Sequence, residues 1–371
     1  MSGEGEGPAR AEPRRRFSPL PAVAAAVTAL VGVLLAVGLI SVVQGWALTH
    51  PPLRPVVGLP STEDALVYRC LPLVLPGPCG ARPLFTPTHH IPIEAWILPS
   101  VSQPYPNLPQ NWADKTVVLV PDHGQSRTPQ DFPAWPVAKM LNAAGYNVVL
   151  FDPRGQGLSG GAGIGFGTVE VRDVLTVVNY LHVLGGAPQG EIALWGVGTG
   201  ADAAILAAAQ DPRISAVIAD SPYLSVGSYL RRRIPGWTGL PAFPFADSIL
   251  WAMQEETGVH YGRYDVPAAA ARLGARPARP LLVVVGSRDT VTPPADAERL
   301  AQAAGSRAYV YLVKGAGHLQ GYAKSPPAPG VPGFTEYQCL VLNTLQVMGS
   351  SAGNAAPTGP GGPCGGQGTT G

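Results

Sequence analysis

Ile192–Leu206 reads IALWGVGTGADAAIL. An apolar run, a glycine-rich bend and an alanine-rich run follow one another without a break, which predicts a buried strand turning directly into a helix. Gly196 and Gly200 hold the outer positions of G-x-S-x-G, the pattern that presents a nucleophilic serine on a strained strand-to-helix turn while small residues let backbone approach backbone. The centre of the pattern, where the serine belongs, is Gly198. The stretch has the frame of a nucleophile elbow without the nucleophile.

Outward from this element the chain alternates between apolar strands and amphipathic helices. Ile91–Leu98 reads as a strand, Thr116–Val120 as a continuous buried one, Trp135–Ala144 as a helix and Tyr146–Phe151 as a strand entering the turn-rich DPRGQGLSGG. Val171, Val174, Leu175, Val178 and Leu181 share one helical face. After the opening element come a strand at Ala216–Ala219, a strand at Leu281–Val285, a helix at Pro294–Ala304, a strand at Tyr309–Val313 and a final helix at Phe334–Met348. This βαβα order predicts an α/β fold with a mostly parallel central sheet and helices on both faces. The alternation breaks at about 224–265, where aromatic and proline-rich sequence predicts a small lid insertion.

Val23–Val43 is an uncharged apolar run that would span roughly 30 Å as a helix, matching a bilayer core. Arg10, Arg14, Arg15 and Arg16 precede it and only Arg54 follows closely, so the expected arrangement is a single-pass anchor in the cell membrane, amino terminus cytoplasmic and folded domain extracytoplasmic. A cleaved secretory signal is the alternative, since Arg14-Arg15-Arg16-Phe17 is similar to a twin-arginine signal and Gly45-Trp46-Ala47 offers small residues for cleavage. The resulting division is a cytoplasmic tail at 1–20, an anchor at 21–48, a Pro-rich linker at 49–82, the folded domain at 83–348 and a Gly/Pro-rich disordered tail at 349–371.

A net charge of +1 and 13% charged residues give no electrostatic reason to expect nucleic acid as a partner. Only four of the 25 basic residues are lysines, a bias in keeping with a high-GC bacterial source. Cys70, Cys79, Cys339 and Cys364 suit an oxidising compartment, but three pairings are open and Cys339 alone reads equally as a buried apolar residue. Their spacing does not suggest zinc, and no metal or organic cofactor is implied.

VVLVPDHG, YNVVLFDPRGQGLSGG, IALWGVGTG, AVIADSPY, and GSRDTVTPP followed by GAGH occur in this order between Pro83 and Met348. Together they resemble the α/β-hydrolase superfamily, in its bacterial serine-aminopeptidase-like or esterase-like branch. The resemblance implies that Asp289 is the triad acid and His318 the triad base, the carboxylate fixing the imidazole tautomer so that the second nitrogen can take a proton. It also implies an oxyanion hole from the backbone N–H groups of Gln125 and Thr199. Asp122 and Ser126 depart from the usual apolar context of that early loop.

Gly198 supplies no oxygen to attack a carbonyl, so ordinary acyl-enzyme chemistry is not expected. Two readings follow. One is a membrane-tethered protein of hydrolase ancestry, with a pocket for a small-molecule ester or amide, that is inactive or impaired and serves in binding. The other is an active hydrolase using a His318-activated water or a non-standard nucleophile, with Thr199, Ser126, Ser221 and Ser159 as the available hydroxyls.

Overall fold

A computed structural model describes residues 20–56, 91–98, 115–161, 163–183, 191–275, 279–346 and 348. The two chain tails, residues 57–82 of the linker expected at 49–82, and Cys70, Cys79 and Cys364 lie outside these residues.

Seven strands form one sheet: β1 Ala95–Leu98, β2 Thr116–Val120, β3 Asn147–Phe151, β4 Ile192–Val197, β5 Ile214–Asp220, β6 Leu281–Gly286 and β7 Ala308–Val313. Their spatial order is β1-β3-β2-β4-β5-β6-β7. Only β1 runs antiparallel, against β3; the other adjacent pairs are parallel. Every residue of β1 to β6 is buried, as expected of a sheet covered on both faces.

The helices are α1 Leu20–Thr49, α2 Ala134–Ala143, α3 Val171–Val183, α4 Thr199–Ala208, α5 Val226–Thr238, α6 Ala242–Thr257, α7 Val266–Gly274, α8 Pro294–Ala304, α9 Gly321–Lys324 and α10 Glu336–Gln346. Strand alternation divides the core into two layers. Val118 and Val120, Ile192 and Leu194, and Leu281 and Val283 face one layer with α3, α4, α7 and α8. Val117 and Leu119, Ala193 and Trp195, and Leu282 and Val284 face the other with α2 and α10. Cys339 on α10 is disulfide-bonded, so it is more than a buried apolar residue.

The lid insertion expected from the aromatic and proline-rich sequence is built on a pair of helices, α5 and α6. Pro235 lies inside α5, in its last turn, and Gly239 in the left-handed region (φ 71°) closes that helix. The apolar α1 ends against α6. Ser41 Oγ lies 2.7 Å from Ser248 Oγ, and Thr49 Oγ1 donates to Glu256 Oε2 at 2.8 Å.

A sharp packing constraint lies at the opening element. A methyl group on Gly196 would stand 2.2 Å from the Gly200 carbonyl oxygen and 2.5 Å from Ala201 Cα, so β4 and its own helix meet backbone to backbone. Gly196→Ala should therefore lower stability by about 1–3 kcal/mol through overpacking. A thermal melt of the full chain in detergent checks this; an unchanged midpoint would show that the contact is not constraining.

Candidate active site

The carboxyl ends of β2, β4, β5, β6 and β7 place Asp122, Gly198, Ser221, Asp289 and His318 along one edge of the sheet, the edge where open parallel sheets bind ligands. The acid and base come together. His318 Nδ1 is 2.9 Å from Asp289 Oδ2, and the acid is buried. Asp289 also accepts from the Val291 and Thr292 N–H groups at 2.9 and 2.8 Å and from the Thr292 hydroxyl at 2.8 Å. Burial alone would raise its pKa, but the hydrogen bond and charge of His318 and the Thr292 donors outweigh it and hold the carboxyl below its ordinary value.

Gly198 sits at φ 57° and ψ −125° between β4 and α4, a strained conformation of the kind an elbow nucleophile occupies. The space above it is filled. A Cβ on Gly198 would lie 2.4 Å from Asp122 Oδ1 and 2.5 Å from Asp122 Cγ. That oxygen accepts from the Thr199 N–H at 2.8 Å and from the Thr199 hydroxyl at 2.9 Å, and lies 3.0 Å from His123 Nδ1. The first N–H of α4, one of the donors a helix start leaves unsatisfied, therefore points at a carboxylate from the neighbouring strand end. Burial would push the Asp122 carboxyl up, yet His123, the Thr199 N–H and the charge of His318 hold it well below the usual range. It is a buried, hydrogen-bonded anion lodged over Gly198.

The other sequence-derived candidates are engaged elsewhere. The Gln125 N–H donates to the Asp122 carbonyl at 3.2 Å, within the turn rather than toward a ligand. Thr199 Oγ1 accepts from the His123 N–H at 2.8 Å while donating to Asp122. Ser159 Oγ donates to the Asp152 carbonyl at 2.5 Å, Ser126 Oγ lies 3.3 Å from Thr128 Oγ1, and Ser221 Oγ donates to Asp220 at 2.9 Å.

Sequence reasoning noted Asp122 only as a departure from pattern and missed its position over Gly198; the one signal was an acid in VVLVPDHG directly after a buried strand. It also missed the cover. His123 is boxed by Phe166, Tyr229 and Trp237, with ring centroids 5.0, 6.2 and 5.2 Å away, the last two from α5. A cavity of ≈ 10 Å³, with room for little more than one water, lies nearby behind β2, lined by Leu119, Arg127, Phe132 and Trp195.

Beneath the site, Asp220 at the end of β5 accepts from Ser221 Oγ at 2.9 Å and Tyr337 Oη at 3.0 Å. Burial pushes its pKa up to about 6 despite those donors and His318. Among the described residues no cluster of His, Cys, Asp or Glu could hold a metal ion.

Residues 113–255 match the family described as serine aminopeptidase, S33, and residues 261–328 match that described as TAP-like protein. No curated protein matches the sequence. The fold is similar to that of the Pyrococcus furiosus esterase Pf2001, with a TM-score of 0.58 and 21% identity over 82% of this chain and 99% of that one. It is also similar to that of DcsB in complex with its substrate analogue, with a TM-score of 0.51 and 17% identity over 70% of this chain and 96% of that one.

The raised Asp220 pKa makes a signed prediction. Between the ordinary 3.8 and about 6 the unfolded chain has released this proton while the folded chain keeps it. The Asp220 contribution to stability is thus present below that window, falls as pH rises through it, and is flat above. The stability difference between wild type and Asp220→Asn should shift by on the order of 3 kcal/mol across the window in favour of the variant at higher pH. Denaturant titrations at pH 4, 5, 6 and 7 read it directly, and a pH-independent difference would refute it.

Proposed function

Since the chain belongs to the α/β-hydrolase superfamily, we propose that it is a membrane-anchored, extracytoplasmic pseudoenzyme whose ancestral ester or amide hydrolase site is closed by its own carboxylate, leaving a binding role. The single observation that carries this is Asp122 Oδ1 on the Thr199 N–H, in the space a nucleophile side chain would need. Removing one oxyanion-hole donor from a working hydrolase costs about 2.7–4 kcal/mol of transition-state stabilisation. Here the Thr199 donor is occupied. A second negative charge developing about 4 Å from the carboxylate would meet a further repulsion of about 4 kcal/mol at an effective dielectric of 20. Together with the missing serine, these effects disable acyl transfer while leaving the Asp289–His318 pair assembled.

The anchor is supported by α1, uncharged from Leu20 to Thr49 and long enough to cross a bilayer. The extracytoplasmic side is supported by the arginines before it and by the disulfide at Cys339.

A second reading rests on the other oxygen of the same carboxylate. All of the Asp122 side-chain hydrogen bonds among the described residues run to Oδ1. Oδ2 is then the oxygen placed to attack an sp³ carbon bearing a leaving group, which departs with the bonding electron pair and leaves an aspartyl ester. Water deprotonated by His318 would add to the carboxyl carbon and release an alcohol, and Asp122 would retain one oxygen from that water. After turnover in H₂¹⁸O, an Asp122 peptide heavier by one ¹⁸O-for-¹⁶O exchange supports this chemistry and an unlabelled one excludes it.

The principal reading is tested with a fluorophosphonate probe and p-nitrophenyl esters. Wild type should not react, and neither should Gly198→Ser, because the new side chain meets Asp122. Gly198→Ser with Asp122→Ala should label, and adding His318→Ala should abolish the labelling. Ester turnover by wild type that is lost in His318→Ala would overturn the proposal.

A further inference from the structure

The contacts between α1 and the lid set a register. Ser41, Gly45 and Thr49, each one helical turn apart, are the buried positions of α1. Ser41 meets Ser248, Thr49 meets Glu256, and a Cβ on Gly45 would stand 3.2 Å from Ala252 Cβ and 3.3 Å from the Met253 backbone nitrogen. Positions 41, 45 and 49 thus pair with 248, 252 and 256, so α6 runs parallel to α1. Small residues at four-residue spacing permit this close approach, as between helices in membranes.

The part of α1 before its first buried residue, Leu20–Ile40, is about 31 Å long at 1.5 Å per residue, the thickness of a bilayer core. Ser41 then marks the membrane surface, and the parallel register carries the lid past it. Phe243, extended at φ −97° and ψ 131°, immediately precedes the regular part of α6, which starts at Pro244, four residues and about 6 Å from Ser248 toward the membrane. It is 91% exposed, the most exposed large apolar side chain of the lid. Trp251 and Trp46, 58% and 57% exposed, fall at the level of the headgroups, where such rings concentrate. Arg231 and Arg232 on α5 lie on the same hairpin and are partly exposed, paired with Asp247 at 2.5 Å and with Asp296 at 3.8 Å. At the far end of α6 the chain becomes acidic, and Glu256 meets Thr49 and His50 at the end of α1, about 12 Å beyond Ser41. The polarity gradients of the two helices run together.

The geometry points to the tip of the α5–α6 hairpin, Gly239–Phe243, as a lipid-binding surface buried in the bilayer leaflet on the side of the folded body. This rests on the reading of α1 as a membrane span. Because Tyr229 and Trp237 of α5 pack on His123 over the candidate site, the cover of that site is held at the membrane surface, and a molecule reaching it comes from among amphiphilic lipids.

The test uses the full chain in phosphatidylcholine/phosphatidylglycerol nanodiscs, with a nitroxide attached separately at Phe243→Cys, Val33→Cys and Arg299→Cys. The parent chain carried through the same labelling provides the background. Accessibility to oxygen, which concentrates in the bilayer, is compared with that to an aqueous nickel chelate. The expected oxygen-to-nickel ratio at position 243 exceeds that at 299 severalfold and stays below that at 33, which lies deeper in the bilayer. A ratio at 243 equal to that at 299, with 33 still high, overturns the lid insertion but leaves the span. Shielding of 243 from both reagents assigns the tip to a protein partner and overturns the proposal. A low ratio at 33 removes the span itself, and the inference with it.

Discussion

The hydrogen bond from the Thr199 N–H to Asp122 Oδ1 joins the two elements on which the candidate site depends. It caps the first turn of α4 with a carboxylate supplied by the end of β2, and it fills the space over Gly198. The same oxygen anchors His123, whose N–H returns to Thr199 Oγ1, and His123 in turn is the floor on which Phe166, Tyr229 and Trp237 pack. A buried anion is costly unless it is hydrogen-bonded. Here the donors that satisfy it include the first N–H of α4, so the filling of the space over Gly198 and the stability of the loop come from the same contacts.

Around this centre, loops are held by buried charge rather than by regular structure. Arg127 binds Asp152 at 2.6 Å and lies over the Trp96 ring, and Arg154 binds Asp173 at 2.7 Å, with Asp152 and Asp173 fully buried. Such pairs are weak evidence of net stability, because desolvation opposes their attraction, but losing one partner leaves an unpaired buried charge. They hold DPRGQG, an element of the family resemblance, as a structural clamp rather than as reacting groups.

The sheet was legible from residues because parallel strands buried on both faces are continuous apolar runs: TVVLV is β2 as read, and helix Pro294–Ala304 was bounded by its own proline. The Asp289–His318 pair was legible because both residues sit on loops after late strands, in an order tied to the elbow. The Asp122 role was not, since its meaning depends on β2 and β4 being adjacent, a fact of the sheet order that local sequence does not state. The two lid helices were not legible, because the stretch is rich in proline and aromatic residues and breaks the alternation. Pro244 falls in the first turn of α6, where a missing N–H costs little, and Pro235 in the last turn of α5, where one helix hydrogen bond is forgone.

The central claim is that Asp122 permanently holds the Thr199 N–H. The most direct measurement is a crystal structure of the protein soaked in a high concentration of acetate, a small carboxylate competing for that donor. The account predicts Asp122 Oδ1 still at hydrogen-bond distance from the Thr199 nitrogen with no acetate there. An acetate oxygen on that nitrogen, with the Asp122 side chain turned away from Gly198, would contradict it.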